Sequence, residues 1–231
     1  MALLLGNALY GCSSSSDPEV DQEVLFQVST LDALLNGRFD GLLPFGDLKK
    51  HGDFGLGTFD ALNGEMIFLD HEVYQVRVDG RAYPVADAMK TPFAAVTFFE
   101  AEQTAVLEAS LDCAGLEAAI DSLLPPQDIA YAVKVSGQFA SLTTRSVAPQ
   151  TRPYPGLADA LRGQVEFALD DVEGTLVGFR LPAYMDGANV AGYHFHFLTE
   201  DRSAGGHVLA CQTRRVQVEV DDTGAWYVAL P

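Results

Sequence analysis

The 231-residue sequence is poor in basic side chains, with 14 Lys and Arg against 32 Asp and Glu and a formal net charge of −18. A surface this acidic repels the phosphate backbone of nucleic acids, so we expect no nucleic-acid partner. Long hydrophobic runs are also missing. No apolar stretch approaches the roughly 20 residues that a bilayer-spanning helix needs, which predicts no transmembrane segment. A small anionic substrate stays compatible with this charge, because a metal ion and one arginine can reverse the local field.

Cysteine is scarce as well, with three residues in the chain. Three widely spaced cysteines are too few for a disulfide framework, so we interpret Cys113 and Cys211 as separate core residues. Cys12 ends a short apolar stretch, MALLLGNALYGC, which resembles a degenerate lipoprotein signal. The stretch lacks Lys and Arg, and an unstructured leader is an equal alternative. Localisation therefore stays open between cytoplasm and export, and residues 1–21 are expected to be a disordered leader or signal remnant.

Glycine is plentiful, with 21 residues placed between short β-branched and aromatic runs. Such runs favour a strand-rich fold with many turns, and an amphipathic pattern over 112–124 predicts a helix. We expect an α/β (α+β) fold with two sheet-rich domains. A mixed sheet with packed helices would occupy residues 22–150. A twisted antiparallel sheet would occupy residues 151–231, after the proline-rich segment QTRPYPG.

Histidine is rare, but three of the five histidines fall within fourteen residues. His194 and His196 alternate with aromatic residues in GYHFHFL, so on a strand they project from one face. If a hairpin places Leu198 opposite His207, then His207 shares that face and lies diagonally from His196. Three neutral imidazoles are typical of a catalytic zinc site, with nickel, cobalt or iron as alternatives. The other interpretation is a pair of surface histidines and an unrelated third.

The sequence resembles the α-acetolactate decarboxylases in a series of long motifs over about residues 25–220. In chain order these are LFQVSTLDALLNGRFDG, LKKHGDFGLGTFDALNGEMI, KTPFAAVTFFE, AYAVKVSGQFASLTTRSV, QTRPYP, EGTLVGFRLP and GYHFHFLTEDRSAGGHVL. The resemblance implies two sheet-containing α/β domains, with a zinc ion on the C-terminal one. It implies decarboxylation of 2-acetolactate to (R)-acetoin and carbon dioxide, and a homodimer.

The resemblance also implies a set of site residues. By matching motif these are the zinc ligands His194, His196 and His207, the carboxylate Glu65, the guanidinium Arg145, and the polar residue Thr58 beside them. Loss of carbon dioxide from a β-keto acid leaves an enediolate, whose charge zinc would stabilise as a Lewis acid. Arg145 would pair with the substrate carboxylate or the enediolate. Glu65 would transfer a proton or orient the substrate hydroxyl.

Two alternatives to this activity stay open. In family members a tail that follows the Leu-Pro ending here at Pro231 lays a glutamate over the active site. No residue of this sequence matches that glutamate, so we expect either a longer natural chain or another acid, such as Glu65, in its role. One alternative is a metal-binding relative that lacks decarboxylase activity. The other is a three-histidine zinc hydrolase, since such a zinc ion also activates water.

Overall fold

The structure is a computed structural model that describes residues 23–124 and 128–230, so the leader and Cys12 lie outside the described residues. The described part contains fourteen strands, four short α-helices and three single-turn 3₁₀ segments. The strands are β1 (Val24–Val28), β2 (Leu43–Pro44), β3 (Phe54–Thr58), β4 (Glu65–Leu69), β5 (Glu72–Val76), β6 (Ala82–Pro84), β7 (Lys90–Thr91), β8 (Ala94–Thr97), β9 (Gln103–Leu107), β10 (Ala130–Ser146), β11 (Val165–Leu181), β12 (Gly192–Thr199), β13 (Gly205–Thr223) and β14 (Ala225–Ala229). The helices are α1 (Leu31–Leu35), α2 (Phe45–Leu48), α3 (Cys113–Asp121) and α4 (Leu157–Ala160).

Two large sheets carry the fold, as the sequence predicts. The first has the order β14-β1-β8-β3-β4-β5-β6. It is a mixed sheet, because β14 pairs with β1 in parallel and all its other strand pairs are antiparallel. The second is antiparallel with the order β10-β11-β12-β13-β9. Strand β10 pairs with β13 as well as with β11, so β10, β11, β12 and β13 close into a ring. A small third sheet pairs β2 with β7.

The predicted boundary between residues 150 and 151 does not separate the two sheets. Strands β9 and β10 precede that boundary but belong to the second sheet, and β14 at the chain end joins the first. Strand pattern alone does not say which sheet a strand joins, and here neighbours in space are far apart in sequence. The segment QTRPYPG connects β10 to α4, and Tyr154 within it packs on Phe39 at 5.4 Å between ring centroids.

Strand alternation builds one core between the sheets and another inside the ring. On β11, Val177 and Phe179 are buried against Leu56 and Ile67 of the first sheet. Leu176, which directly precedes Val177, points the other way, into the interior of the ring. Period-two alternation therefore gives β11 two apolar faces, each with its own core.

Side-chain caps start two of the helices, α1 and α3. The Thr30 hydroxyl accepts a hydrogen bond from the Ala33 amide at 3.2 Å, and the Asp112 carboxylate accepts one from the Gly115 amide at 2.8 Å. The second helix, predicted over 112–124, is α3 and ends at Asp121. Within the described residues no helix is long and apolar enough to cross a membrane.

Cys113 and Cys211 form a disulfide, so their interpretation as separate core residues was wrong. Their Cα atoms lie 5.1 Å apart although 98 residues separate them in the chain. Cys113 begins α3 and Cys211 lies on β13. The sequence spacing could not reveal this pairing, because it depends on which helix end packs against which strand.

Candidate active site

Strand register brings the three predicted histidines together. His194 and His196 lie on one face of β12, while Phe195 and Phe197 point into the core of the ring. His207 on β13 pairs directly with His196, and Leu198 pairs with Gly205. The predicted register was therefore off by two residues, because β13 begins at Gly205. A two-residue shift keeps every side chain on its face, so the predicted cluster forms all the same.

Arg145 enters the site through the closure of the ring. On β10 it pairs with His207, which itself pairs with His196 on β12. Three neighbouring strands thus carry Arg145, His207 and His196 side by side, at cross-strand positions whose side chains share one face.

Thr58 and Glu65 face this cluster from the first sheet. They are cross-strand partners at adjoining ends of β3 and β4. The Thr58 hydroxyl donates a hydrogen bond of 2.8 Å to the carbonyl oxygen of Gly64, in the connection that leads into β4. All six predicted site residues therefore line one pocket between the sheets.

The three imidazoles are arranged to hold a metal ion. One nitrogen of each lies within 4.8 Å of the others, and His194 Nε2 is 3.1 Å from His207 Nδ1. His196 Nδ1 lies 2.7 Å from the Met66 carbonyl oxygen. A carbonyl only accepts, so Nδ1 carries the proton and the lone pair of Nε2 is left for an ion. His194 Nδ1 is buried and lacks a hydrogen-bond partner among the described residues.

Burial keeps these imidazoles in the form that binds metals. It lowers the pKa of His194 to about 4, and it lowers the pKa values of His196 and His207 well below the usual value. The guanidinium of Arg145 acts in the same direction on all three pKa values. Neutral imidazole is the ligand form, so a metal ion need not displace protons here.

Glu65 and Arg145 form an ion pair beside the histidines. Arg145 Nη1 lies 3.0 Å from Glu65 Oε1, and the other oxygen, Oε2, lies 3.6 Å from His196 Nε2. Burial raises the pKa of Glu65 to about 7, and the charge of Arg145 opposes that rise. Only 8% of the Glu65 side chain is exposed, so the carboxylate faces the pocket rather than bulk solvent.

Apolar side chains close the rest of a cavity of about 120 Å³. The sequence did not single them out, because apolar residues at helix and strand spacing look like ordinary core. They are Leu31, Leu34, Leu62, Phe93, Val147, Leu157, Leu161 and Val190. Such a space suits a small molecule held by a few polar groups.

Two further groups that shape the site were not predicted from the sequence. The Met66 carbonyl orients His196, and a contact made by a backbone group cannot be predicted from residue types. Gly178 lies on β11 opposite Phe195, where a Cβ atom would collide with the carbonyl oxygen of His194. A glycine at this position allows β11 to approach the strand that carries two of the histidines.

Converging polar groups in a pocket of this size are typical of enzymes that act on small molecules, and the three histidines could hold a metal ion. The family of the chain is shown by sequence. The chain belongs to the alpha-acetolactate decarboxylases, whose family profile matches residues 25–231. This match confirms the resemblance found in the motifs. The enzymes of this family are carboxy-lyases.

Individual relatives agree over most of the chain. An alpha-acetolactate decarboxylase of Methanosarcina mazei is 53% identical over 209 residues, which cover 90% of this chain and 73% of the relative. That of Methylococcus capsulatus is 46% identical, covering 91% and 81%. The crystal structure of the Bacillus subtilis strain 168 enzyme superposes with a TM-score of 0.88 at 39% identity, over 90% of this chain and 89% of that one. The predicted fold class is confirmed.

Proposed function

We propose that this chain decarboxylates 2-acetolactate to (R)-acetoin and carbon dioxide, using a zinc ion held by His194, His196 and His207. The family supports the substrate, since the relatives carry the name of this activity. One observation supports the mechanism above the others. Three imidazole nitrogens lie within 4.8 Å of one another in the pocket that also holds Glu65 and Arg145.

The donor set fits zinc. Three neutral nitrogens match a borderline-soft ion, and the tautomer of His196 is set by the Met66 carbonyl as in catalytic zinc sites. A zinc ion bound there would supply Lewis-acid stabilisation of the negative charge that loss of carbon dioxide leaves on the ketone oxygen, as an enediolate. The same donors also accept nickel, cobalt or iron, so the metal itself has to be measured.

Arg145 binds and orients the substrate in this proposal. Its guanidinium is held at one nitrogen by Glu65, which leaves further N–H groups for the substrate carboxylate or for the developing negative charge. Apolar walls such as Phe93 and Val147 border the same space and exclude water from it. A carboxylate among apolar walls loses its hydration, so its departure as neutral carbon dioxide becomes more favourable.

Glu65 delivers the proton that the product needs. After carbon dioxide leaves, one carbon must gain a proton, and Glu65 is the carboxyl group that lines the pocket. It lies on the first sheet, whereas the histidines lie on the second, so a molecule held between them presents one face to Glu65. Delivery from one side supports a single product enantiomer.

A direct assay tests the proposal against its two alternatives. Zinc-loaded protein is mixed with racemic acetolactate, and carbon dioxide and the acetoin enantiomers are measured together with the metal content. We expect carbon dioxide and (R)-acetoin at about one zinc per chain. Bound zinc with no carbon dioxide indicates one of the two alternatives. A second assay with an ester substrate separates them, because only the hydrolase cleaves the ester.

The disulfide supports one of the two locations left open by the sequence. Cys113 and Cys211 are bonded, and disulfides persist in oxidising surroundings such as those outside the cytoplasm. We therefore favour export over a cytoplasmic location. We also propose a homodimer, on the family resemblance, which light scattering of the purified chain tests.

A further inference from the structure

A second cluster of possible ligands lies where the two sheets meet. Its members are Glu23, Glu102 and Asp221, each of which offers one carboxylate oxygen within 4.8 Å of the others. Glu23 directly precedes β1 in the first sheet, and Glu102 directly precedes β9 in the second. Asp221 lies near the end of β13, just before the chain crosses to β14. None of them lines the three-histidine pocket.

Backbone hydrogen bonds hold the three positions together. The Glu102 amide donates to the Val220 carbonyl at 3.0 Å, and the Asp222 amide donates to Glu102 Oε2 at 2.6 Å. The Ala225 amide donates to the carbonyl of Glu23 at 3.0 Å, where β14 pairs with β1. The proximity of the carboxylates thus follows from strand pairing within both sheets.

Asp221 is the member that points to a ligand. It is 3% exposed, and its Oδ2 has no hydrogen-bond partner among the described residues. It pairs with Ala132, which belongs to the core between the sheets, so its side chain lies at that interface. A buried carboxylate oxygen that accepts no hydrogen bond is costly unless an ion of opposite charge binds it.

The charges around Asp221 increase this cost. Burial and the negative charges of Glu102, Glu23 and Asp222 raise the pKa of Asp221 to about 8. Lys134 lies on a neighbouring strand, but its ammonium group is 3.0 Å from Glu219, two residues before Asp221. The site therefore combines several carboxylate oxygens with the Oδ2 of Asp221, which has no hydrogen-bond partner among the described residues.

We propose that Glu23, Glu102 and Asp221 bind a calcium ion that ties the first sheet to the second. Calcium takes carboxylate and carbonyl oxygens in flexible geometry, whereas magnesium demands a nearly ideal octahedron and keeps several waters. Zinc prefers the nitrogen donors of the histidine pocket, so the two sites differ in chemistry. An ion at the ends of β1, β9 and β13 stabilises the arrangement of the sheets that form the pocket.

Calcium titration of the zinc-saturated full chain tests this site, because zinc then occupies the histidines. We expect calorimetry to show about one calcium per chain, with a Kd in the submillimolar range of extracellular calcium modules. We expect the melting temperature to rise by about 5 °C at 10 mM calcium, and by less with the same concentration of magnesium. Glu72→Gln, at an exposed carboxylate of the first sheet, should leave both effects unchanged.

Asp221→Asn is the decisive variant. We expect it to weaken calcium binding at least tenfold and to abolish the calcium-induced shift, while its melting temperature without calcium stays equal or rises because repulsion is relieved. Should this buried substitution fail to fold, Glu102→Gln at one of the two exposed members replaces it, with the same expectation. No calcium heat and no shift in the wild-type chain would overturn the proposal. A shift that persists in the variants, or one that magnesium reproduces in full, also contradicts it.

Discussion

Arg145 Nη1 lies 3.0 Å from Glu65 Oε1 and thereby joins the two sheets across the pocket. The partners are 80 residues apart, on β10 of the second sheet and β4 of the first. Both side chains are largely buried, with 13% and 8% of their surface exposed. Removal of either partner leaves a buried charge without compensation, so conservative substitutions are needed to separate structure from chemistry.

Arg145→Lys should reduce kcat while the protein stays folded. Lysine keeps the charge but loses the planar fork that can hold Glu65 and a carboxylate at the same time. We expect kcat for acetolactate to fall about 10²-fold, within the range for loss of one preorganised donor. Arg214→Lys, an exposed arginine of β13, is the matched control. Wild-type kcat in Arg145→Lys contradicts the role of the fork.

Glu65→Gln should remove proton delivery without removing the metal. The amide is nearly the same size but cannot donate an acidic proton, so we expect kcat to fall by about 10²- to 10⁴-fold. The metal content should stay near that of the wild type, because Glu65 is not among the three ligands. The enantiomer ratio of acetoin is the second measurement. An unchanged rate together with pure (R)-acetoin would show that another acid supplies the proton.

His194→Ala, His196→Ala and His207→Ala should each lose the bound metal. Each removes one of the nitrogens that lie within 4.8 Å of one another, and two imidazoles hold zinc much more weakly than three. Metal content after dialysis, measured by elemental analysis, should fall from about one per chain to near zero. His71→Ala is the control, since the His71 side chain is 78% exposed and does not line the pocket. Stoichiometric zinc in any of the three variants argues against the ligand set.

Thr58→Val should have a smaller effect, through position rather than chemistry. The hydroxyl bonds to the Gly64 carbonyl just before Glu65, so its loss loosens the backbone that places the carboxylate. We expect a free energy of unfolding lower by about 1 kcal/mol and a modest fall in kcat. Thr58→Ser, which keeps the hydroxyl, should restore both. If serine fails to restore kcat, the hydroxyl is not what positions Glu65.

The histidine cluster could be predicted because it depends on the alternation of side chains along a strand. Other features of the site depend on which strands and helices pair or pack in space. His194 and His196 share a face on any strand, and an error of two residues in the hairpin register left His207 on that face. No periodicity reports that β10 pairs with β13, which places Arg145 beside His207. The roles proposed for Glu65 and Arg145 were therefore accessible only through the family motifs. The apolar pocket walls carried no signal that distinguishes them from core.

Reduction of the Cys113–Cys211 disulfide should destabilise the protein. The bond closes a span of 98 residues between α3 and β13, and loop-closure entropy predicts a loss of about 4.7 kcal/mol, in a typical range of about 2–5. For a chain of this size we expect Cys211→Ser to lower the melting temperature by about 5–15 °C. Cys12→Ser is the control and should leave it unchanged, whereas dithiothreitol should lower the wild-type value to that of Cys211→Ser. Thiol titration of the denatured, non-reduced protein should find one free thiol, and three would contradict the bond.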